Sequence, residues 1–176
     1  MRIRIHALVL LAFVLLAGSW TQALSKGAPA KGGEREAREI LLAMMKPGAD
    51  KAQLSRALQP QGADYKAVFT GEMAQKAEAM YKPVWDSGKL VIEGRPEQTE
   101  LKLWAATTED LQTGTGNARE FPGGYKKVAP FLNKGLVFYR FKFVEPGKDL
   151  GISFDGLVFV NGRFVIFPKP WRMLGP

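Results

Sequence analysis

Residues 156–167 read GLVFVNGRFVIF, and this stretch decides the fold. The Asn161-Gly162 pair at its centre is the strongest short-range signal for a β-hairpin, because both positions of a two-residue turn need a positive φ that Asn and Gly tolerate. A turn of this length pairs Phe159 with Phe164 across the two strands. Both faces of the hairpin are apolar, so we expect it to be central or covered on both sides.

The chain before this hairpin continues the pattern of strands. Leu136–Val144 (LVFYRFKFV) alternates, which predicts a strand with two different faces. Lys89–Glu93 and Glu100–Ala106 also alternate and predict two more strands, joined by a polar turn. One face of the Leu136–Val144 strand carries Val137, Tyr139, Phe141 and Phe143, and the other carries Leu136, Phe138, Arg140, Lys142 and Val144.

Before Gly88 the apolar residues recur every three or four positions, which indicates helices. Glu34–Lys46 forms the first predicted helix, and Asp50 can cap a short second one. Thr70 can begin a longer helix, which Pro83 kinks or ends because proline lacks a backbone donor. Helices followed by antiparallel strands predict the α+β class, with N-terminal helices packed on a curved antiparallel sheet that ends in a hairpin.

The N-terminus has the pattern of a secretory signal. A basic start precedes the eleven apolar residues Ala7–Ala17, which cover roughly 16 Å as a helix, about half of a ~30 Å hydrocarbon core. Residues 1–23 are therefore predicted to be a cleavable signal peptide, with an uncleaved anchor as the alternative. Residues 24–33 would be a flexible linker and residues 34–176 a single domain. We expect an exported protein, periplasmic or secreted, with no transmembrane span in its mature form.

Composition narrows the possible chemistry. The chain has no cysteine, and its one histidine, His6, lies in the predicted signal. The mature protein would thus lack Ser-His-Asp and Cys-His catalysis and nearly every zinc or copper site, so we predict no catalytic residues of these kinds, no metal and no cofactor. Carboxylates remain: Asp155 could pair with Glu109, Asp110 or Glu120 for acid–base hydrolysis of a glycan.

Positive charge is concentrated in the last third of the chain. Residues 24–123 contain fourteen basic and fourteen acidic residues, whereas residues 124–176 contain nine basic and three acidic ones. This asymmetry indicates an anionic partner or, alternatively, a solubility feature. Arg140 and Lys142 alternate with aromatic residues, a pattern that can bind nucleic acid, but export argues against that partner. On a concave face these groups would instead hold an anionic ligand, and on a convex face they would be solvated, which is the interpretation we favour.

A ligand pocket is the second candidate site. The helix before Gly88 carries a stripe of methionine and aromatic residues that would line either a pocket or simply the core. If a pocket exists, we expect Tyr81, Trp85, Tyr139, Arg140 and Asp155 to form it.

Three functions remain open. The first is an exported binding module that uses a pocket or a basic face for a small or anionic ligand. The second is an envelope-associated interaction protein that contacts anionic lipid or wall polymer. The third is a histidine-free carboxylate hydrolase. Binding is favoured over catalysis because no motif combines a nucleophile with its base.

Three segments carry a family resemblance: DGLVFVNGRFVIFPKPWRML (residues 155–174), DYKAVF (residues 64–69) and EFPGGYKKVAP (residues 120–130). They resemble a family of exported bacterial proteins that has no assigned activity, and the resemblance covers most of residues 60–174. It implies no catalytic residue. The order of helices and then a sheet with a V-N-G-R hairpin is also similar to nuclear transport factor 2-like and cystatin-like folds. That similarity implies a cone whose sheet and helices enclose a pocket.

Overall fold

The computed structural model describes residues 32–175. Within this range the chain forms six α-helices, which are α1 (Glu34–Met45), α2 (Lys51–Arg56), α3 (Gly62–Val68), α4 (Met73–Asp86), α5 (Thr108–Thr113) and α6 (Gly124–Val128). Four strands complete the secondary structure: β1 (Glu100–Thr107), β2 (Val137–Val144), β3 (Gly151–Val160) and β4 (Arg163–Ile166). Short 3-10 helices cover Gly116–Glu120, Ala129–Phe131 and Pro170–Leu174.

The four strands form one antiparallel sheet in the order β1-β2-β3-β4, so each strand pairs with its neighbour in sequence. The sheet is open and curved, and α1 to α4 precede it in the chain. The α+β prediction is confirmed.

The hairpin prediction is also confirmed. Asn161 and Gly162 have φ values of 51° and 79°, as a two-residue hairpin turn requires. Phe159 lies opposite Phe164 in the β3–β4 register. Val165 is fully buried and Phe164 is 3% exposed although they point to opposite faces, so the hairpin is covered on both sides as expected.

Aromatic side chains fill the core on both faces of the sheet. On one face the Phe138 ring of β2 packs edge-on against Tyr125 of α6, with 6.1 Å between ring centroids. On the other face the Tyr139 ring packs against Phe164 at 6.0 Å. The alternation along β2 therefore places neighbouring residues in two separate parts of the core, as the sequence pattern predicts.

The prediction of a strand at Lys89–Glu93 is wrong. This segment is extended but pairs with no strand of the described chain. Its Ile92 is fully buried, and the Ile92 backbone N–H donates to the Ser55 hydroxyl of α2 at 2.8 Å. The alternation therefore reflects burial of one side of the segment against the helices, and a side chain satisfies the backbone group that a strand partner would have taken.

The limits of α4 differ from those predicted. Thr70 does not cap this helix, because its hydroxyl and its backbone N–H both donate to the Phe131 carbonyl oxygen. The helix begins at Met73 and continues to Asp86, so Pro83 does not end it. Pro83 lies in the last turn, where the helix loses one backbone hydrogen bond and the surrounding packing outweighs that loss.

The N-terminal predictions fall mostly outside the described residues. The signal peptide of residues 1–23 lies there, as does most of the linker of residues 24–33. The last two linker residues contact the domain: the Tyr139 hydroxyl donates to the Gly32 carbonyl oxygen at 3.1 Å, and Gly33 precedes the first turn of α1. Within residues 32–175, no helix has the length and hydropathy needed to cross a membrane.

Candidate functional site

A β-bulge shapes the candidate site. The register of β2 against β3 shifts at Arg140, so that two residues of β3, Asp155 and Gly156, lie opposite this one residue. Gly156 has a φ of +86°, and a Cβ atom at this position would overlap the Phe167 carbonyl oxygen. Glycine is therefore required here both by conformation and by space, and the bulge fixes where the Asp155 side chain lies.

The Asp155 carboxylate is held by one of its two oxygens. Its Oδ1 accepts a hydrogen bond from the Tyr125 hydroxyl at 3.0 Å and another from the backbone N–H of Lys169 at 2.8 Å. The side chain is only 5% exposed. Burial raises the pKa of Asp155, while the two hydrogen bonds and the charges of Lys169 and Arg140 oppose that rise.

A cleft of about 410 Å³ opens at Asp155. It lies between the C-terminal half of α4, the extended segment at residues 89–91, β3 and the start of the C-terminal 3-10 helix. Its apolar wall is formed by Met80, Val84, Leu90, Val91, Phe154 and Pro168. Val84 is 43% exposed, so part of this wall is accessible from solvent.

Three cationic side chains line the same cleft: Lys89, Lys169 and Arg172. No residue of the described chain forms an ion pair with any of the three. Asp155 is the only carboxylate among the described residues that line the cleft. The cleft therefore combines an apolar wall with an excess of positive charge.

Backbone geometry places two of these cations together. Lys169 adopts a left-handed conformation with a φ of 53°, and its N–H is held by Asp155. Arg172 follows in the 3-10 helix Pro170–Leu174, and its backbone N–H donates to the Lys169 carbonyl oxygen at 3.1 Å, so both residues belong to one turn. The Tyr81 hydroxyl donates to the Pro168 carbonyl oxygen at 2.9 Å, which fixes the chain just before Lys169.

The structure brings together part of the predicted pocket. Tyr81 and Asp155 both line the cleft. Arg140 lies beside it, because its guanidinium NH2 donates to the hydroxyl of Ser153, which lines the cleft, at 3.3 Å. The Arg140 Nε is buried and has no partner within residues 32–175.

Trp85 and Tyr139, the other two predicted pocket residues, do not line the cleft. Trp85 is 6% exposed and packs in the core, where its indole Nε1 is buried and finds no hydrogen-bond partner in the described chain. Tyr139 points to the opposite face of the sheet from Arg140, and its hydroxyl binds Gly32. In the described structure these two side chains are therefore part of the core.

Sequence reasoning missed Lys89, Lys169 and Arg172 as cleft residues. The charge excess after residue 123 included two of them, but it did not show which of the nine cations lie near Asp155. That placement depends on the bulge and on the left-handed Lys169, and neither feature has a sequence signal as strong as Asn-Gly.

Two of the carboxylates predicted as partners of Asp155 for acid–base chemistry have other contacts. Asp110 forms a capping box with Thr107 at the start of α5, and these hydrogen bonds lower the pKa of Asp110. Glu109 accepts from the backbone N–H of Gly135 at 3.0 Å. In residues 32–175 there is also no group of three His, Cys, Asp or Glu side chains arranged to hold a metal ion. The described contacts therefore do not support a catalytic pair of Asp155 with Glu109 or Asp110.

A second basic area lies on the Arg140 face of the sheet. The Arg140 Cζ and the Lys142 Nζ each lie 5.6 Å from the centre of the Trp104 ring, a cation–π distance. Lys102 on the same face forms an ion pair with Asp149. These cations are engaged with groups of the protein itself, so this face has less free charge than the cleft.

Comparison with protein-family models, with curated proteins and with solved structures gave no match.

Proposed function

We propose that this protein is an exported binding module whose cleft holds a small amphipathic anion. The apolar part of the ligand lies against Met80, Val84 and Leu90, and its acidic group lies at Lys169 and Arg172. One observation carries the proposal: three cations without ion-pair partners in the described chain line a cleft that is otherwise largely apolar.

The size and chemistry of the cleft fit such a ligand. Small-molecule sites typically have volumes of about 300–1,000 Å³, with an apolar lining and a few polar groups that fix orientation. The 410 Å³ of this cleft falls in that range. Hydrogen bonds from lysine or arginine to an acid are stronger than those between neutral groups. An anion therefore gains the most binding free energy from the three cations of the cleft.

Binding is favoured over catalysis by the state of the cleft's reactive groups. Burial raises the pKa of Tyr81 well above its ordinary value, so its hydroxyl stays protonated and poorly nucleophilic. Ser153 has Arg140 as its hydrogen-bond partner, and arginine cannot act as a base. Neither of these two hydroxyls thus has a base as its hydrogen-bond partner in the described chain.

Octanoate is a suitable probe, because it joins an acid to a flexible apolar chain. Titration of the purified protein, followed by amide chemical shifts, should move the resonances of residues around Leu90 and Lys169. The neutral analogue 1-octanol should bind more weakly. A variant with Lys169→Gln and Arg172→Gln should weaken octanoate binding by at least roughly tenfold, since each charge-assisted hydrogen bond is worth about 1.5–3 kcal/mol.

The matched control replaces Lys126 and Lys127 with Gln. It removes the same charge from α6, and neither residue lines the cleft. Binding in this control should equal that of the wild type. An equal loss in both variants would show non-specific attraction to net charge. Absence of wild-type binding to octanoate and to every other amphipathic acid tested at millimolar concentration would reject the proposal.

A second candidate function is attachment to an anionic envelope surface. It is favoured by Lys126 and Lys127, which are exposed in the last turn of α6 and form no ion pair with a described residue. Residues 124–176 contain a clear excess of basic side chains. Ligand capture by the cleft and weak attachment through α6 are compatible, because they use different residues.

Export itself remains a prediction from residues 1–23. Sequencing the N-terminus of the protein from its native source tests it: a mature chain should begin between Trp20 and Ser25. Recovery of intact Met1 from the cytoplasm would reject it.

A further inference from the structure

The two oxygens of the Asp155 carboxylate differ in their contacts. Oδ1 accepts both hydrogen bonds, from Tyr125 and from the Lys169 backbone. No group of residues 32–175 donates to Oδ2, and this oxygen is not among the fully enclosed polar atoms without a partner. Since Asp155 lines the cleft, Oδ2 is an acceptor that a ligand can reach.

An acceptor in this position selects for a donor on the ligand. A buried acceptor that loses its water without gaining a donor costs free energy, so an occupant lacking a donor there is penalised. Sites that hydrogen-bond a ligand hydroxyl discriminate strongly against analogues that lack it. Oδ2 is therefore suited to distinguish among the anions that the three cations of the cleft attract.

The charge balance of the cleft favours a neutral donor over an ammonium group. Lys89, Lys169 and Arg172 are opposed by Asp155 alone, so the lining carries an excess of two positive charges. A ligand with a net negative charge complements that excess. A zwitterion has no net charge, and its ammonium group would lie close to three cations.

We propose that the ligand is a hydroxylated amphipathic acid, whose hydroxyl donates to Asp155 Oδ2 while its acidic group binds Lys169 and Arg172. This assignment depends on the proposed function, because it names the chemical class of ligand for the same cleft. Asp155 is then the residue that determines specificity, and the cations supply the general affinity for anions.

The experiment compares matched probes on the wild-type protein: octanoate, 2- and 3-hydroxyoctanoate, and the two corresponding methoxy acids. The two hydroxy acids place the donor at different distances from the carboxylate. We expect at least one hydroxy acid to bind roughly tenfold more tightly than octanoate. Its methoxy counterpart, which can accept but not donate, should bind more weakly than the hydroxy acid by a similar factor.

An Asp155→Asn variant provides the second measurement. Its amide oxygen can replace Oδ1 and keep the hydrogen bonds from Tyr125 and Lys169, so that an NH2 donor replaces Oδ2. The ratio of the methoxy acid's Kd to the hydroxy acid's Kd should then fall toward one, because the new NH2 donor can bind the ether oxygen. The steric effect of the methyl group is common to both proteins and cancels in the comparison.

The outcomes separate the two proposals. Wild-type protein that binds octanoate but shows no preference for either hydroxy acid overturns this inference and leaves the proposed function standing. Tighter binding of 2-aminooctanoate than of both hydroxy acids overturns the assignment of a neutral donor. No binding of any acid rejects the proposed function itself. The wild-type comparison decides the inference even if Asp155→Asn does not fold.

Discussion

At the scale of single residues, Gly156 allows the β-bulge to pack closely against Phe167 in the core. Its positive φ and the nearby Phe167 carbonyl oxygen both exclude a side chain. We expect Gly156→Ala to lower the free energy of unfolding by about 3 kcal/mol, because either the backbone or Phe167 must move.

Gly147 offers the matched control for this substitution. It has a φ of +72° but no atom within 4 Å of the position a Cβ would take. Gly147→Ala should therefore cost only the conformational term, about 1 kcal/mol. Urea denaturation of both variants measures the difference, and equal losses would mean that contact with Phe167 contributes nothing.

Asp155 makes stability depend on pH in a direction opposite to that of a salt-bridged carboxylate. Burial raises its pKa in the folded state above the ordinary value of 3.8. Between these two pKa values the folded protein holds a proton that the unfolded chain has released, so stability falls as pH rises. Asp155→Asn removes this titration.

The difference in unfolding free energy, wild type minus Asp155→Asn, should therefore decrease as pH is raised from about 4 to about 7. Thermal or urea unfolding at several pH values measures it, and titrations of other groups cancel in the difference. A difference that increases over this range would show that the attached hydrogen bonds and cations outweigh burial.

At the scale of elements, hydrogen bonds hold the tip of the β3–β4 hairpin against α3. Asp64 is 2% exposed, and its carboxylate accepts hydrogen bonds from Arg163 at 2.6 Å and from the Asn161 side chain at 2.8 Å. Arg163 also donates to the carbonyl oxygens of Ala57 and Gln59. The arginine thus joins the hairpin to the ends of two helical segments.

Arg163→Met should lower the free energy of unfolding by about 2–3 kcal/mol, because it leaves a buried carboxylate with its main partner removed. Lys148→Met is the control: it breaks an exposed ion pair with Glu145 and should change stability by less than about 1 kcal/mol. Comparable losses in the two variants, measured by urea denaturation, would count against a structural role for the Asp64–Arg163 pair.

Several elements could be predicted from sequence because their signals are local. The Asn161-Gly162 turn and the Asp50 cap of α2 each depend on residues within a few positions of one another. By contrast, the Lys89–Glu93 segment has the alternation of a strand but takes its hydrogen-bond partner from Ser55, 37 positions earlier. Helix α6 lies just after a loop rich in glycine and has only five residues, too few for a periodic signal.

The candidate site was less predictable than the fold for the same reason. Asp155 is predicted from the chemistry of its carboxylate, and it lines the cleft. Tyr81, Trp85 and Tyr139 are predicted because they are aromatic, and of these three only Tyr81 lines the cleft, since burial in a core satisfies aromatic residues equally well. Composition does not distinguish the two environments, which depend on contacts between residues far apart in the chain.

At the scale of the whole molecule, the unpaired cations predict weak association with polyanions. Lys126 and Lys127 are exposed on α6 and, within the described chain, form no ion pair. Near an anionic membrane each basic group contributes on the order of 1 kcal/mol, and screening acts over roughly 8 Å at physiological salt. Lys126→Glu/Lys127→Glu should therefore elute earlier from heparin and bind anionic vesicles less.

The control for net charge is Lys66→Glu/Lys76→Glu, which makes the same change on exposed residues of α3 and α4. Elution of the two variants at the same salt concentration would show that no particular face is used. Absence of wild-type retention at low salt would reduce the charge excess to a solubility feature.

The contacts of Asp64 with Arg163 and Asn161 also determine when the fold can form during synthesis. Asn161 follows Asp64 by 97 positions, so the first helices emerge from the ribosome about 5–20 s before the side chains that neutralise and cover their buried carboxylate. Until then Asp64 remains hydrated and the sheet that the helices pack against lacks β4. The fold therefore closes late, once the β3–β4 hairpin has been made.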